Sequence, residues 1–339
     1  GLDDIVGVTI EKGLIPTVAN LSQTNLDKFY LVKKNTFVYN PRTHGVRLGM
    51  GFNETDKIFI TSWNNVAFKV KTEHIVLPKY LWMFFNRPEW DRQSNYLAWG
   101  SSTIVFAWKD FLEISIDLPP LEEQRKIVTR YKAIETRIAN NKQTIAKLEE
   151  AAQALYRKMF VDDVDVENLP EGWRMGCLGE VAEISAGGDK PVCFSETMDN
   201  IHNIPIFANG VENDGLYGYT NKAKISIPSV TISARGTIGF VCLRTEPYVP
   251  IVRLLVCIPN KLISNSVLYL FYLLKNSKLE GDGAVQLQLT APKFKDIEIV
   301  IPNKKIIEDF ENKLSSIVDL NNQIKKENEK LIKMLSLMA

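Results

Sequence analysis

The chain has 339 residues, 45% of them hydrophobic and 24% charged, which is the composition of an ordinary globular protein with two or three domains. The net charge of +1, from 41 basic and 40 acidic residues, argues against a protein that holds nucleic acid tightly through its overall charge. The longest apolar run, Val267 to Leu274, is far shorter than the roughly 20 residues of a membrane span. The first residues do not resemble a signal peptide, so we expect a cytoplasmic protein.

Residues 1–117 contain short runs that are typical of strands, such as Phe37–Tyr39. An apolar stretch at Tyr80–Phe85 follows them and predicts a buried helix. We expect Trp63 and Trp99 to be core residues rather than residues that stack on bases. The region is therefore interpreted as a globular domain of mixed α/β structure.

Residues 118–160 predict one long helix. Its apolar side chains recur at alternating spacings of four and three residues over 127–159, which is the pattern of a coiled-coil seam. Prolines followed by acidic residues favour a helix start near Leu121, and the pattern ends near Phe160. The next stretch, 161–172, carries acidic residues and no basic one, so we interpret it as a linker.

The remainder of the chain repeats this organisation, with a second β-rich region and a second long helix. A shift of 183 positions places Phe111 on Phe294 and Pro119 on Pro302, and it superposes the two seams throughout. Asn303 is expected to cap the second helix. Outside this frame the two copies have little in common. Two similar scaffolds with different surfaces suit the recognition of two different elements at a fixed separation.

Three asparagines occupy seam positions of the long helices, namely Asn141, Asn321 and Asn328. A polar seam residue weakens a coiled coil but fixes its register and orientation. The alternative is that each is a tolerated polar position in a long helix. The sequence leaves both interpretations open for each of the three.

The sequence contains no pattern that predicts catalysis. The stretch nearest to an adenine methyltransferase motif, Asn40–Thr43, lacks the second proline and the aromatic residue, and there is no phosphate-binding loop. Gly210, Gly215 and Gly218 lack the dinucleotide-binding spacing and predict turns. The four cysteines form no C-x-x-C pair and only three histidines are present, so we expect no metal site.

Several motifs carry a resemblance to a known family. Ile116–Ile127, followed by the heptad helix, resembles the conserved-region boundary of the specificity subunits of type I restriction–modification systems. Leu169–Trp173 with Leu178–Val181 resembles the opening of a target-recognition domain in that family. Ser233–Gly239 is similar to a turn found midway through such domains. Val8–Pro16 and Phe37–Pro41 are similar to the equivalent part of another subtype.

The resemblance implies an α+β fold in which two mixed α/β target-recognition domains alternate with two long helices. The helices would pack as an antiparallel coiled coil and set the number of unread base pairs between two half-sites. The expected domains are a first recognition domain at 1–117, a spacer helix at 118–160, an acidic linker at 161–172, a second recognition domain at 173–300 and a second spacer helix at 301–339.

The resemblance also implies the function. The chain would be a non-catalytic subunit that binds a bipartite, asymmetric site in double-stranded DNA. It would direct two methyltransferase subunits and the restriction and translocase subunits to that site. No cofactor is implied for this chain, whereas S-adenosylmethionine would bind the partner methyltransferase.

Two other functions remain open. The chain could be a stand-alone sequence-specific DNA-binding protein, although its near-neutral charge argues against that. It could also be a rearranged or truncated specificity subunit with one functional half. The first copy has no counterpart of Gly172–Trp173 or Leu178–Val181, so we expect its opening strand to be missing from these residues.

Candidate DNA contacts are basic and polar side chains near predicted turns. Arginine can read guanine and asparagine can read adenine, whereas lysine mostly contacts phosphate. The alternative for each is a solvated surface side chain, and the same choice applies to the basic residues in the first half of the first long helix. The candidates are Lys33, Lys34, Tyr39, Asn40, Arg42, His44 and Arg47 in the first domain and Tyr217, Tyr219, Lys222, Lys224, Ser233 and Arg235 in the second.

Overall fold

The computed structural model describes residues 4–17, 25–43, 47–99, 104–277, 279 and 289–338. The chain divides into two compact units. Unit 1 contains residues 1–142 and 326–339, and unit 2 contains residues 143–325. Each unit therefore combines one of the two β-rich regions with parts of both long helices.

The first β-rich region consists of short strands, three short helices and then a long helix. The strands are β1 (Ile5–Val8), β2 (Leu14–Pro16), β3 (Tyr30–Val32), β4 (Thr36–Tyr39), β5 (Arg42–Thr43), β6 (Met50–Asn53), β7 (Phe59–Thr61), β8 (Val66–Lys69) and β9 (Ile104–Val105). The helices are α1 (Pro78–Phe85), α2 (Pro88–Leu97), α3 (Trp108–Leu112) and the long α4 (Leu121–Phe160). The sheets have the strand orders β2-β1-β7-β3, β6-β4-β8 and β5-β9.

The core of unit 1 is built from aromatic side chains. Phe37, on the central strand β4, stacks between Phe52 of β6 and Phe68 of β8, with ring centroids 4.5 and 5.0 Å away. Helices α1 and α2 add Phe85 and Trp90, whose rings lie 4.6 Å apart. Since each aromatic side chain removes a large apolar area from water, this cluster stabilises the unit.

Gln124 is a polar residue in the motif that opens α4, and its hydrogen bonds account for its presence there. Although it is fully buried, all of its polar atoms have partners. Its side-chain oxygen accepts a hydrogen bond from the Leu77 amide at 2.9 Å, and its Nε2 donates to the carbonyls of Ile75 and Pro119, each at 2.9 Å. The side chain therefore ties the start of α4 to the segment that leads into α1.

Unit 2 repeats the arrangement with different strands. They are β10 (Arg174–Cys177), β11 (Ala182–Ala186), β12 (Ile204–Phe207), β13 (Leu216–Thr220), β14 (Ser229–Ile232), β15 (Val241–Arg244), β16 (Val249–Pro250), β17 (Leu255–Pro259) and β18 (Glu298–Ile301). The helices are α5 (Leu178–Val181), α6 (Val267–Asn276), α7 (Ala291–Lys295) and the long α8 (Lys304–Met338). The sheets have the orders β11-β17-β14-β15, β13-β12-β16 and β10-β18.

The core of unit 2 joins its largest sheet to the long helices. Helix α6 lies on the sheet and presents Tyr269 and Tyr272 to Tyr156 and Phe160 of α4. Phe310 of α8, which is completely buried, has its ring centroid 5.2 Å from that of Phe160. One apolar cluster therefore holds the sheet, α6 and both long helices together.

The long helices agree closely with the pattern in the sequence. Helix α4 begins at Leu121 and ends at Phe160, and Asn303 caps α8 by accepting a hydrogen bond from the Ile306 amide at 3.1 Å. Every seam position over 127–159 and 310–338 is buried or half-buried. Within unit 2, Glu149 lies 3.8 Å from Lys325, while Phe160 contacts Phe310. Later residues of α4 thus meet earlier residues of α8, which confirms the predicted antiparallel packing.

The three seam asparagines have different surroundings in the structure. In unit 1, the side chains of Asn141 and Asn328 are buried and share a hydrogen bond of 2.9 Å, and Asn141 also donates to Glu327 at 3.0 Å. Arg137 donates two hydrogen bonds to the same Glu327 carboxylate, at 3.0 and 3.2 Å. In unit 2, Asn321 Oδ1 is buried and has no hydrogen-bond partner among the described residues. Only the first two therefore form a pair that can fix register.

We expect Asn141→Leu to lower the free energy of unfolding by about 1–2 kcal/mol, because it leaves the buried Asn328 amide without its partner. Adding Asn328→Leu to that variant restores most of the loss, so a double-mutant cycle in chemical denaturation gives a coupling energy of about 1 kcal/mol. The control is Asn321→Leu, which we expect to be neutral or stabilising. Additive effects of Asn141→Leu and Asn328→Leu contradict the prediction.

Buried phenols predict a loss of stability in alkali. Burial, with a smaller contribution from Glu149, raises the pKa of Tyr272 to about 12. The unfolded phenol ionises near pH 10. The stabilisation that the protonated, buried phenol provides is therefore complete below pH 10 and falls as the pH rises towards 12. Between these values we expect Tyr272→Phe to make the fall in unfolding free energy shallower by up to about 1.4 kcal/mol per pH unit. Parallel profiles for the two proteins in pH-resolved denaturation contradict this.

Two of the sequence-based expectations about burial are wrong. Trp63 is 57% exposed and Trp99 is 69% exposed, so neither belongs to the core. Trp63 follows the short strand β7, and Trp99 lies just beyond the end of α2. Separately, in the described part of the chain no helix combines the length and the apolar character needed to cross a membrane.

Candidate nucleic-acid interface

The structure divides the candidates in unit 1 into exposed and buried groups. Lys33 and Arg42 are exposed, and Lys34 is exposed but forms an ion pair with Asp56 at 2.8 Å. Tyr39 has no exposed surface, stacks on Phe111 with a centroid distance of 5.4 Å, and donates its hydroxyl to the Phe106 carbonyl at 3.3 Å. It is a core residue and leaves the candidate set. His44 lies outside the described residues.

Two further candidates sit in turns that their neighbours hold in place. Asn40 accepts a hydrogen bond from the Arg42 amide at 3.0 Å, which closes the turn before β5. Arg47 is more than half exposed and lies 3.9 Å from Asp91. The Asp91 carboxylate already binds the buried ammonium of Lys12 at 2.6 Å. Asp91 therefore has two cationic neighbours, of which Lys12 is the nearer.

Strand pairing brings Arg42 and Trp99 to one face of unit 1. Arg42 lies opposite Val105 in the β5–β9 pair, and Trp99 forms an antiparallel bridge to the same Val105. Residues directly opposite each other in neighbouring strands project their side chains to the same side. Tyr96, at the end of α2, is 87% exposed. A basic side chain and an exposed aromatic ring on one face, such as Arg42 and Trp99, are a common composition of nucleic-acid surfaces.

The candidates in unit 2 also divide. Lys222 and Lys224 are exposed, Tyr217 is about half exposed, and Tyr219 and Arg235 are partly exposed. Ser233 is buried, and its hydroxyl accepts a hydrogen bond from the Gly210 amide at 3.2 Å. Because that hydroxyl is enclosed and already engaged, Ser233 supports the surrounding loops and leaves the candidate set.

A groove in unit 2 brings two of the candidates together. Its volume is about 480 Å³ and its walls are the segments 208–217 and 235–237. Tyr217 and Arg235 both line it, whereas Lys222 and Lys224 do not. The predicted turns at Gly210 and Gly215 form part of one wall. The sequence showed these turns, but nothing in it indicated that they face the turn that carries Arg235.

The walls of the groove are held by polar contacts of Asn209 and Arg244. Asn209 accepts a hydrogen bond from the Ala234 amide and donates one to the Val252 carbonyl, both at 2.8 Å. Buried Arg244 donates to the Asp214 carbonyl at 2.6 Å and lies 3.6 Å from the centroid of the Phe207 ring. Burial lowers the pKa of Arg244. These contacts fix the backbone of both walls.

The groove is also bordered by strained backbone. Asn213 and Asp214 adopt left-handed φ angles of 47° and 56°, and Val252 has a φ of 53°. Left-handed backbone is unusual for residues other than glycine, and it is rare for a β-branched residue such as Val252. Such conformations cost about 1–3 kcal/mol each and tend to occur at functional sites.

Other kinds of site receive no support from the described residues. Across the part of the chain that the structure describes, no three His, Cys, Asp or Glu side chains are grouped so that they could hold a metal ion. The thiols of Cys242 and Cys257 are buried, and burial raises the pKa of Cys242 to about 11. These are therefore protonated core thiols rather than reactive ones.

Comparison with known proteins identifies the family. The model of the type I restriction modification DNA specificity domain matches residues 8–150 and, a second time, residues 170–330. The chain belongs to this family. The double match coincides with the internal repeat, so each β-rich region with its following helix is one copy of the domain.

Curated relatives include specificity subunits from several organisms. One protein of Mycoplasma pneumoniae, named as a type I specificity subunit, is 33% identical over 194 residues, which are 57% of this chain and 52% of that protein. The chain thus spans about half the length of this relative. The specificity subunit of the HindI type I restriction enzyme from Haemophilus influenzae is 24% identical over 354 aligned positions, covering 78% of this chain and 76% of that subunit.

A solved structure supports the fold. The S subunit of a type I restriction–modification system from M. genitalium superposes with a TM-score of 0.56 at 16% identity, over 99% of this chain and 93% of that one. The α+β fold with two repeated domains and two long helices, as predicted from the sequence, is thereby confirmed. The relatives named here are specificity subunits, which agrees with the expectation of a chain without its own catalytic centre.

Proposed function

We propose that this specificity-family chain binds a bipartite, asymmetric DNA site and directs methyltransferase and restriction subunits to it. The observation that carries the proposal is the double match of the specificity domain on two copies that share a frame but differ in surface. A duplicated reader with two different surfaces suits a site with two different halves. The recognition domains would be residues 1–117 and 173–300, each followed by its long helix.

The proposed contacts are the candidates that remain at the surface. Exposed lysines would bind phosphate, and the arginines would bind phosphate or base edges. The net charge of +1 makes strong binding by the chain alone unexpected, so the partner subunits would supply further positive surface. The proposed residues are Lys33, Lys34, Asn40, Arg42 and Arg47 in the first domain, and Tyr217, Tyr219, Lys222, Lys224 and Arg235 in the second.

Mapping of methylated adenines tests this function. The chain is co-expressed with its cognate methyltransferase subunits in a host free of other methylation, and methylated adenines are mapped across the genome. We expect one split motif that requires both proteins. Methylation by the chain alone, or an uninterrupted motif, contradicts the proposal.

One observation favours a second candidate, a subunit in which only the second domain reads DNA. In unit 2, β10 pairs with β18 just before α8. The counterparts of β18 in unit 1, residues 115–118, form no strand with any described residue. Leu118 is 37% exposed, whereas its counterpart Ile301 is 3% exposed. If this candidate is correct, the methylated motif specifies bases in one half only.

A further inference from the structure

We propose that the exposed turn Val252–Arg253 of unit 2 binds the sugar–phosphate backbone of DNA, with the Arg253 guanidinium on a phosphate and Val252 against the adjoining sugar. The inference rests on the proposed function and goes further, because it assigns a backbone contact to a residue that is not among the candidates predicted from the sequence. The turn connects β16 to β17 and thereby joins two sheets of the unit.

The turn projects from the core of the unit. Ile251 and Leu254, on either side of it, are 1% and 2% exposed, whereas Val252 is 50% exposed and Arg253 is exposed as well. The Leu254 amide donates a hydrogen bond to the Ile251 carbonyl at 3.0 Å, which closes the turn after two residues. The chain thus leaves the core, presents two side chains to an approaching ligand and returns.

The backbone of the turn is strained for the residues that it carries. Val252 and Arg253 have φ angles of 53° and 61°, and turns with two positive φ angles strongly favour asparagine and glycine. The left-handed conformation is rare and costly for a β-branched residue. Val252 also belongs to neither apolar cluster in the described part of unit 2, so packing within the chain does not offset the strain. A contact with a bound ligand accounts for such a side chain at this position.

Hydrogen bonds from two neighbouring segments hold the turn in this conformation. The amides of Val252 and Arg253 donate to the carbonyls of Gly188 and Gly187, at 2.9 and 3.2 Å. Asn209 donates to the Val252 carbonyl at 2.8 Å. A Cβ on Gly187 would lie 2.8 Å from backbone atoms that precede the turn, so only glycine allows this close approach. The surrounding fold therefore maintains the strain, and the turn is fixed before a ligand binds.

The surroundings of the turn are positively charged. The side chain of Arg253 has no hydrogen-bond or ion-pair partner among the residues that the structure describes. The ammonium of Lys224 lies 3.5 Å from the position of a Cβ on Gly188, the residue whose carbonyl holds the turn. Asp189 and Lys190, both exposed, follow Gly188 and offset each other. The surface around the turn therefore carries a net positive charge, which attracts phosphate groups.

Arg253 is assigned to a phosphate rather than to a base edge. Base readout needs side chains that neighbouring groups hold in place. The described residues give the Arg253 guanidinium no such support, whereas a flexible basic side chain suffices for a phosphate contact. The methyl groups of Val252 form no hydrogen bonds, and they suit the apolar carbons of a sugar beside that phosphate. The turn would thus position the DNA without reading its sequence.

The test measures DNA binding by the complete chain assembled with its cognate methyltransferase subunits. The probe is a labelled duplex that carries the mapped motif, and fluorescence anisotropy gives the dissociation constant over a range of salt concentrations. We expect Arg253→Ala to weaken binding about tenfold and to lower the slope of log affinity against log salt by about 0.9, because one phosphate contact is lost. The loss should be the same for duplexes in which single base pairs of the second half-site are replaced.

Two variants provide the contrast for Arg253. Lys261→Ala removes an exposed basic residue beyond the opposite end of β17, and we expect neither the affinity nor the salt slope to change. Arg253→Lys keeps the positive charge, so the salt slope should be retained.

Val252→Gly separates a contact with DNA from a structural role. Glycine adopts the left-handed conformation without strain, so the midpoint of thermal unfolding should stay the same or rise. Binding should weaken about threefold, because the apolar contact with the sugar is lost. A valine with a purely structural role would give the opposite result, a lower midpoint with unchanged binding.

The outcomes are distinct. If the wild-type complex recognises a split motif but Arg253→Ala leaves the affinity and the salt slope unchanged, this inference is overturned and the proposed function stands. The same holds if the variant alters the preference at a single base pair, or if size-exclusion chromatography shows that it no longer assembles with the methyltransferase subunits. If the wild-type complex gives no split motif, the proposed function itself fails.

Discussion

Phe310→Ala is expected to lower the free energy of unfolding by about 3–5 kcal/mol, since truncating a fully buried phenylalanine removes its apolar contacts and leaves a cavity. Phe310 is 0% exposed and its ring contacts those of Tyr156, Phe160 and Tyr272. These rings come from α4 and α6, so the loss falls on the contact that joins the long helices to the sheet of unit 2.

Chemical denaturation with hydrogen exchange provides the measurement, because a chain of two units need not unfold in one step. Exchange of amides in residues 143–325 should accelerate most. Leu320→Ala is the control on the same helix, since Leu320 is 44% exposed and its truncation should cost less than about 1 kcal/mol. Equal effects of the two variants would show that the aromatic cluster does not hold α8.

Lys79→Met is expected to destabilise unit 1 by about 2 kcal/mol, because it removes the shared partner of two carboxylates. The Lys79 ammonium lies 2.7 Å from Glu54 and 2.9 Å from Glu135, and its side chain is 6% exposed. It also lies 5.3 Å from the centre of the Tyr131 ring. Both carboxylates remain 38–39% exposed, so water offsets part of the loss and the effect stays below that of a fully buried pair.

Lys34→Met is the matched control. Lys34 forms an ion pair with Asp56 at a similar distance, 2.8 Å, but the two side chains are 53% and 89% exposed. An exposed pair contributes little, so we expect a change of less than about 0.5 kcal/mol in the same denaturation experiment. Adding Glu135→Gln to Lys79→Met should recover part of the stability. A Lys79→Met effect no larger than that of Lys34→Met would contradict the buried-pair interpretation.

The long helices could be predicted in detail from the sequence. Heptad spacing, prolines and cap residues act within a few residues of one another, so they place the start of α4 at Leu121 and the cap of α8 at Asn303 without knowledge of the fold. The repeat at a shift of 183 residues likewise predicts two copies of one frame. The helix signals depend on nearby residues, and the repeat is found by comparing the sequence with itself. The structure agrees with both.

The exposure of single side chains could not be predicted in the same way. Tyr39 lies on β4, which is the central strand between β6 and β8 and is buried along its whole length. An alternating pattern indicates one buried face, but it does not reveal a strand that is covered on both. Trp99 shows the opposite error, since a large apolar residue is usually buried and only the surrounding elements decide otherwise.

The sequence by itself thus determined the repeated frame, the two long helices and the absence of recognisable catalytic motifs. Only the tertiary structure decided which candidate side chains are exposed: it enclosed Tyr39 and Ser233, exposed Trp99 on the same face as Arg42, and brought Tyr217 and Arg235 to one groove. The physical reason is distance along the chain. A helix is specified by neighbours three and four residues apart, whereas a groove depends on contacts such as that of Asn209 with Val252, 43 residues away.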